Sequence, residues 1–456
     1  MKFLFTIVFF VEIGFVSAQV PNNLSASDKV FGLSKIWEEA NYNFVYMNRV
    51  DRNMWDSTYR KYISMVQTTK DDYTYYRILQ RFIAQLHDGH SNIFLPTSLD
   101  SLVLVSMFGP YRFYVENIDG KAVVVQTNLS KKDEIPVGSE IVQVNNMPTK
   151  EYREKWVVPY VSASTDFALE DISTEKLLEG LLGESYTVTF KKPDGKTTTL
   201  QLTHAKTAEK EMYPALEEHR DLLEFKWYPG KIAYVSLNSF ADRKIDSEFV
   251  NLLPELYKAK GLIIDLRKNG GGNTNIGAEI LTYLTHDTVF YGARSYSRMH
   301  IPAYKAWGGG VRPQDTVGSA WQKKVYLYYH DLYEYSFDYS PDTVHMRTPR
   351  VVVPTALLIG HNTFSAAEDF LIYADKQKHF VKIGQNSSGS TGQPYFFRLP
   401  GGGGARVCAK KDTYPDGREF VGYGVKPDIE VKPTLDDFIH NKDVVLERAL
   451  EWENGK

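Results

Sequence analysis

The sequence predicts an α/β protein with a helical N-terminal part, a β-rich middle and a C-terminal layer of alternating strands and helices. Three observations carry this. Leu79, Phe82, Ile83 and Leu86 repeat at helical spacing. From about residue 100 to 205 the apolar residues alternate instead, as in half-buried strands. From about 206 onward, fully apolar runs such as Gly261–Leu266 and Thr355–Ile359 end in glycine-containing turns and pass into helical stretches. At 456 residues more than one core is expected. The boundaries read as a leader over 1–18, a helical domain over 19–99, a β domain over 100–205 and an α/β core domain over 206–456.

Composition excludes several classes. Apolar residues make up 43%, charged residues 24%, and the net charge is −3, so no basic stripe for nucleic acid is present. Met1-Lys2, an apolar run from Phe3 to Val16 and the small residues Ser17-Ala18 form the pattern of a cleavable secretory signal. That run is short for a membrane span and contains Glu12. Export to a periplasmic or extracellular space is the expectation. The single Cys408 rules out an intramolecular disulfide and reads as a structural thiol.

In the helical part, Ser27-Asp28 and Thr68–Asp72 offer helix caps, and Trp37, Tyr42, Phe44, Tyr46 and Trp55 supply an aromatic core. The part ends in Leu86-His-Asp-Gly-His90, with Gly89 as the helix stop and Asn92–Leu95 as a short strand. His87, Asp88 and His90 are too few for a zinc site, and no other histidine pair has ligand spacing. A loop histidine between a helix and a strand suits a general base delivered into a cleft.

In the β part, Ala122–Gln126, Ile135–Met147, Tyr186–Lys191 and Thr197–Leu202 read as strands, with a hairpin at Pro193-Asp-Gly195 and a helix over Lys150–Trp156. The run Gly138-Ser-Glu-Ile-Val-Gln-Val-Asn-Asn-Met-Pro148 resembles the strand-turn-helix segment of PDZ domains, which hold peptide tails along a sheet edge. The matching carboxylate loop falls near Met107–Tyr111, where Pro110 has no N–H to donate.

In the core part, Lys231–Asn238, Gly261–Leu266, Val325–Tyr329 and Thr355–Ile359 read as strands, with helices over Asp246–Lys258 and Ile276–Leu284. Gly270-Gly271-Gly272 lacks the spacing of nucleotide loops. Glycines ending a buried strand do free backbone N–H groups to stabilise an oxyanion. Thr355–Ile359 leads through Gly360-His-Asn-Thr-Phe to Ser365-Ala-Ala-Glu-Asp-Phe370, which places Ser365 at a helix N-terminus. Such a serine is either a plain cap or an exposed nucleophile.

Four stretches occur in one order: Leu86–His90; Ile264-Asp-Leu-Arg-Lys-Asn-Gly-Gly-Gly272; Asn362-Thr-Phe-Ser-Ala-Ala-Glu368; and Gly424-Val-Lys-Pro-Asp-Ile429. Together they resemble the S41 family of serine peptidases over nearly the whole mature chain. The resemblance implies a ClpP/crotonase-like catalytic core with an N-terminal helical domain and an inserted PDZ-like domain. It also divides two mechanisms. One branch activates the serine with a lysine 25 positions on, but position 390 here is Ser390, which cannot serve as that base. The other, tricorn-like branch uses a histidine in an Asp-Gly-His motif, matched by His90, and a second serine just before it, where this chain has Gly89. Its orienting glutamate aligns at Val421. Glu419, two residues earlier and on the same face of an extended strand, takes that role by this alignment, with Asp88 as the alternative.

The resemblance therefore implies an exported serine endopeptidase with Ser365 as nucleophile, His90 as base and Glu419 as its orienter. Ala366 with Gly271 or Gly272 would form the oxyanion hole. Proteins or peptides, engaged by their C-terminal tails, are the expected partners, with no metal, cofactor, nucleic acid or membrane span. The alternative is a non-catalytic protein on the same fold that binds apolar ligands or peptides.

Overall fold

The computed structural model describes residues 20–215, 221–343 and 349–456; the leader assigned to 1–18 lies outside the described residues. Its centre is a six-stranded sheet in the order Leu223–Tyr228, Ile232–Leu237, Gly261–Asp265, Thr355–Ile359, Phe380–Gly384 and Ile429–Glu430. The first pair is antiparallel and the remaining pairings are parallel. Strand alternation divides the apolar residues between two faces. Leu262, Ile264, Leu357 and Ile359 belong to one buried cluster, and Ile263, Ala356, Leu358 and Ile383 to another. Each of the leucine and isoleucine side chains contributes about 1.5–3 kcal/mol by leaving water. The second face is covered by the C-terminal helix Val444–Asn454 through Val445 and Ala449.

Parallel strands all deliver their loops to the same edge, and that edge is where ligands and catalytic groups collect in such sheets. Here the glycine turn 267–272 follows Gly261–Asp265, the turn 360–364 follows Thr355–Ile359, and the loop 385–392 follows Phe380–Gly384.

The N-terminal helices Ala26–Asn43, Arg52–Gln67 and Asp72–Ile83 share their core with the central sheet: Leu33, Ile36, Tyr75 and Phe82 belong to the same buried cluster as Leu262 and Leu357. Trp55 stacks on Phe82 at 4.1 Å, and Phe44 and Tyr46 are buried, as expected. Tyr42 is instead exposed and lies against His300. The first helix is capped by Ser25 with Asp28 as its reciprocal partner, two residues earlier than the sequence signal placed it, and the third by Asp71. The helix stop is also different. His87 itself takes the left-handed conformation at φ 48°, so Gly89 is free for another purpose.

The middle of the chain forms an eight-stranded sheet with its own buried cluster, including Phe113, Val124, Ile141 and Phe190. The helix Asp166–Glu175 packs on the strand Tyr111–Ile118 and leads back toward the central sheet. One expected strand is a helix: Val325–Tyr329 lies inside Ala320–Tyr329, which starts at the Ser319 cap. Only Val325 and Tyr328 there are buried, a helical i, i+3 pair, and the short apolar run had disguised that spacing.

Candidate active site

Ser365 stands between the strand Thr355–Ile359 and the helix Ala366–Ala374, at φ 58° and ψ −122°. A side-chain-bearing residue rarely occupies this region, and holding it there costs about 1–3 kcal/mol. The conformation lifts Oγ out of the turn at the helix N-terminus, as in the sharp strand-to-helix turns that expose nucleophiles. Surrounding contacts fix it. Phe364 N–H donates to Asn269 O at 3.0 Å, and Thr363 Oγ donates to Leu266 O at 2.9 Å. Ser365 N–H is shared between Ser390 O at 3.1 Å and Glu368 Oε2 at 3.2 Å.

The glycine turn is shaped to fit this elbow. A Cβ on Gly271 would lie 2.7 Å from Ser365 Cβ and 2.6 Å from Phe364 O, so only glycine allows the two turns to touch. A Cβ on Gly272 would lie 2.2 Å from the backbone of Phe240, which runs alongside. Gly271 N–H already donates to Asn269 Oδ1 at 2.9 Å. Gly270 lines the cleft, and its N–H and that of Ala366 have no hydrogen-bond partner among the described residues. Gly271 and Gly272 thus have a steric role, Gly271 N–H is already engaged, Gly272 N–H has no hydrogen-bond partner among the described residues, and Gly270 is the turn glycine that lines the cleft.

His90 reaches Ser365 across 275 positions: Nε2 lies 3.3 Å from Ser365 Oγ. The strand Asn92–Phe94 carries it there by pairing antiparallel with Gly404–Cys408, and Cys408 N–H donates to Ser91 Oγ at 3.1 Å. The imidazole stacks on Phe364 at 4.5 Å with an interplanar angle of 10°. Burial lowers its pKa to about 3, helped by the charges of Arg406 and Lys410. The group is a neutral base held out of water.

The partner of His90 Nδ1 is Ser390 Oγ at 2.8 Å. Neither expected carboxylate takes that place. Glu419 is exposed and pairs with Arg49 at 3.2 Å and Lys411 at 3.1 Å. Residues 414–424 form turns rather than a strand, with Tyr423 N–H and Gly424 N–H both donating to Phe420 O, so positions 419 and 421 do not share a face. Val421 is buried in the core. Asp88 accepts from Ser91 Oγ at 2.6 Å, and burial raises its pKa to about 6. Gly89 has a different value here: a Cβ at that position would lie 3.0 Å from Ser390 Oγ. The hydroxyl beside Nδ1 comes from the loop 385–392 and not from the position just before the histidine.

Sequence reasoning also left Glu368 without a role. It is fully buried and accepts from Ser387 Oγ (2.5 Å), Gly389 N–H (2.7 Å), Ser390 N–H (3.0 Å) and Ser365 N–H (3.2 Å). Burial pushes its carboxyl up to about 8 against the pull of these donors. One side chain therefore ties the nucleophile elbow to the loop that orients His90. The signal was in the sequence as Ser-x-x-Glu, the capping-box spacing.

Beside the Ser365–His90 pair lies a cleft of about 740 Å³ lined by Gly89, Asn92, Gly270, Phe364 and Arg406. Its far wall comes from residues 160–176. Ser164 Oγ accepts from Gly89 N–H at 2.9 Å, Thr165 Oγ donates to Ser388 O at 3.1 Å, and Asp171 pairs with His361 at 2.6 Å. No group of His, Cys, Asp and Glu suited to a metal ion occurs among the described residues. Cys408 is buried, with Sγ against Lys410 O, and burial raises its pKa well above the usual range, which fits a structural thiol. No helix among the described residues is long and apolar enough to cross a membrane.

Two outcomes are expected from this geometry. A hydroxyl both donates and accepts, so it favours the productive imidazole tautomer less strictly than a carboxylate does. Ser390→Ala should therefore lower kcat on a peptide substrate by about 10- to 100-fold, short of the roughly 10⁴ lost when a carboxylate orienter is removed. Steady-state kinetics with KM unchanged would bear this out. The second concerns acid. His90 has its pKa lowered from 6.5 to about 3, so the free enzyme keeps the neutral base as pH falls. In a pH–rate profile, kcat/KM should lack an acid limb near 6.5. Folding stability linked to His90 falls over the same range, from pH 6.5 downward, because the unfolded chain takes up the proton first.

The model of Peptidase family S41 matches residues 231–431, which hold five of the six central strands, the glycine turn, Ser365 and Ser390. Among solved structures, mature CPAF complexed with lactacystin is similar at 14% identity over 94% of this chain and 99% of that chain, with a TM-score of 0.69. The crystal structure of mature CPAF is similar at 15% identity over 94% and 96%, also with a TM-score of 0.69. A putative peptidase from Parabacteroides merdae is similar at 16% identity over 94% and 97%, with a TM-score of 0.51. At such identities the likeness concerns the fold. No curated protein matches the chain.

Proposed function

We propose, from the premise that the chain is a member of peptidase family S41, that it is a serine endopeptidase acting through Ser365 and His90. The observation that carries this reading is the 3.3 Å approach of Ser365 Oγ, raised on a strained turn, to Nε2 of the buried neutral His90. Strain at such a residue costs stability, and a pure binding protein gains nothing from it.

In the reaction, Ser390 Oγ accepts from Nδ1–H, which leaves the Nε2 lone pair facing Ser365 Oγ. Oγ attacks the peptide carbonyl carbon and its proton passes to Nε2. The Ala366 N–H, with that of Gly270 from the glycine turn, stabilises the resulting oxyanion. Each donor is worth about 3 kcal/mol in the transition state. The tetrahedral adduct collapses as His90 returns the proton to the leaving amine, and an acyl ester on Ser365 remains. Water, deprotonated by the same imidazole, then releases the acid and restores the serine. Glu368 does not touch the reacting atoms. It holds the loop that carries Ser390.

Residues 1–18 act in this reading as a cleaved export signal, which makes the substrates proteins or peptides outside the cytoplasm. N-terminal sequencing of protein recovered from the periplasm or medium should start close to Gln19, and a retained Met1 would count against export. Ser365→Ala should abolish both hydrolysis of an unfolded protein and labelling by a fluorophosphonate, with circular dichroism unchanged. Full hydrolysis by that variant would overturn the nucleophile, and full hydrolysis by His90→Ala would overturn the base.

A further inference from the structure

The cleft wall beside His90 carries a cation, Arg406, that has no ion-pair partner among the described residues. Arg406 lies in the strand Gly404–Cys408, opposite Asn92 in one neighbouring strand and Phe396 in the other. Its Nε and Nη2 both donate to Asn92 Oδ1, at 2.9 and 2.7 Å. That leaves Nη1 without a hydrogen-bond partner among the described residues, and none of their carboxylates forms an ion pair with Arg406. Asp88 acts on it through space, while its own Oδ2 is taken by Ser91. The guanidinium stands 5.5 Å from the ring centroid of Phe94 and 5.7 Å from that of Phe396. These rings stack at 6.1 Å, yet are 42% and 59% exposed.

Two apolar rings and a half-buried setting strip water from a guanidinium, and burial accordingly lowers the affinity of Arg406 for its proton. A planar donor fork so placed favours a carboxylate over a neutral group, and the flanking rings offer packing surface to an aliphatic stem. Of the other charges lining the cleft, Lys176 pairs with Glu179 and Asp171 with His361, while Lys268 forms no ion pair among the described residues but lacks the flanking rings.

We propose that Arg406 is a specificity residue of the peptidase and takes the side-chain carboxylate of a substrate Asp or Glu within a few residues of the scissile bond, its stem lying on Phe94 and Phe396. This rests on the peptidase reading above. The site also bears on the chemistry. After burial itself, Arg406 and then Lys410 are the charges that oppose protonation of His90. A bound carboxylate offsets the first of these, so an acidic substrate strengthens the base that cleaves it. The benefit therefore enters kcat as well as KM.

Internally quenched peptides with amidated C-termini, paired so that Glu and Gln are exchanged at each position near the cleaved bond, test this with the full-length mature protein. Wild type should cleave the Glu member about tenfold faster at one position, the size of one charge-assisted contact. In Arg406→Gln that ratio should fall to within about twofold of unity, Arg406→Lys should keep part of it, and Lys268→Gln should leave it. Fluorophosphonate labelling of Ser365 reports whether each variant is folded. If Arg406→Gln does not fold, Asn92→Ala releases the guanidinium from its holder and should lower the ratio instead. A wild-type ratio near unity at every position, a gain seen only with free C-terminal acids, or a ratio that survives Arg406→Gln would overturn the assignment alone. Absence of any cleavage or labelling in wild type would overturn the peptidase reading with it.

Discussion

The carboxyl of Glu368 joins the nucleophile turn to the loop 385–392, adding to the two backbone bonds between them, Ser365 N–H to Ser390 O and Ser388 N–H to Thr363 O. Its two oxygens receive four donors, one from the nucleophile turn and three from residues 387–390. Without them, Ser365 would lose a restraint on a costly backbone conformation, and Ser390 would lose the anchor that sets it against His90. Desolvation opposes a charge at this position, and four converging donors favour it. A buried group so heavily bonded is costly to form and hard to displace, which suits a site whose geometry must not drift.

The second constraint is the way His90 arrives. The N-terminal helices have no separate core; their apolar faces merge with that of the central sheet. The last link is three residues of strand, Asn92–Phe94, bolted to Gly404–Cys408. His90 and Ser365 are thus held by one continuous packed body, and their 3.3 Å separation is a property of the whole core rather than of a flexible arm. The same strand pairing sets Arg406 beside the cleft, so His90 and the charged wall share one support.

Much of the fold was legible because its strands are buried on both faces. Runs such as Gly261–Asp265 and Thr355–Ile359 leave little choice of element. The strand reading of Val325–Tyr329 failed because five apolar and aromatic residues carry too little periodicity to separate strand from helix. Glu419 was placed by assuming an extended strand through a segment that turns twice. Gly89 was assigned to a helix stop that His87 provides, and its real value is the space it leaves for Ser390.

By itself the sequence determined the order of its motifs, the residue types able to act as nucleophile and base, and the glycines where backbones must nearly touch. Those follow from local chemistry: side-chain reactivity, strand alternation and the absence of a Cβ. Only the tertiary structure decided that Ser390 Oγ meets His90 Nδ1, that Glu368 bonds to both loops, and that Arg406 lines the cleft without an ion-pair partner among the described residues. Each of these depends on which of several identical functional groups comes within 3 Å of another, across separations of 300 positions for His90 and Ser390. Spacing along the chain cannot set such a distance; packing of the sheet and its covering helices does.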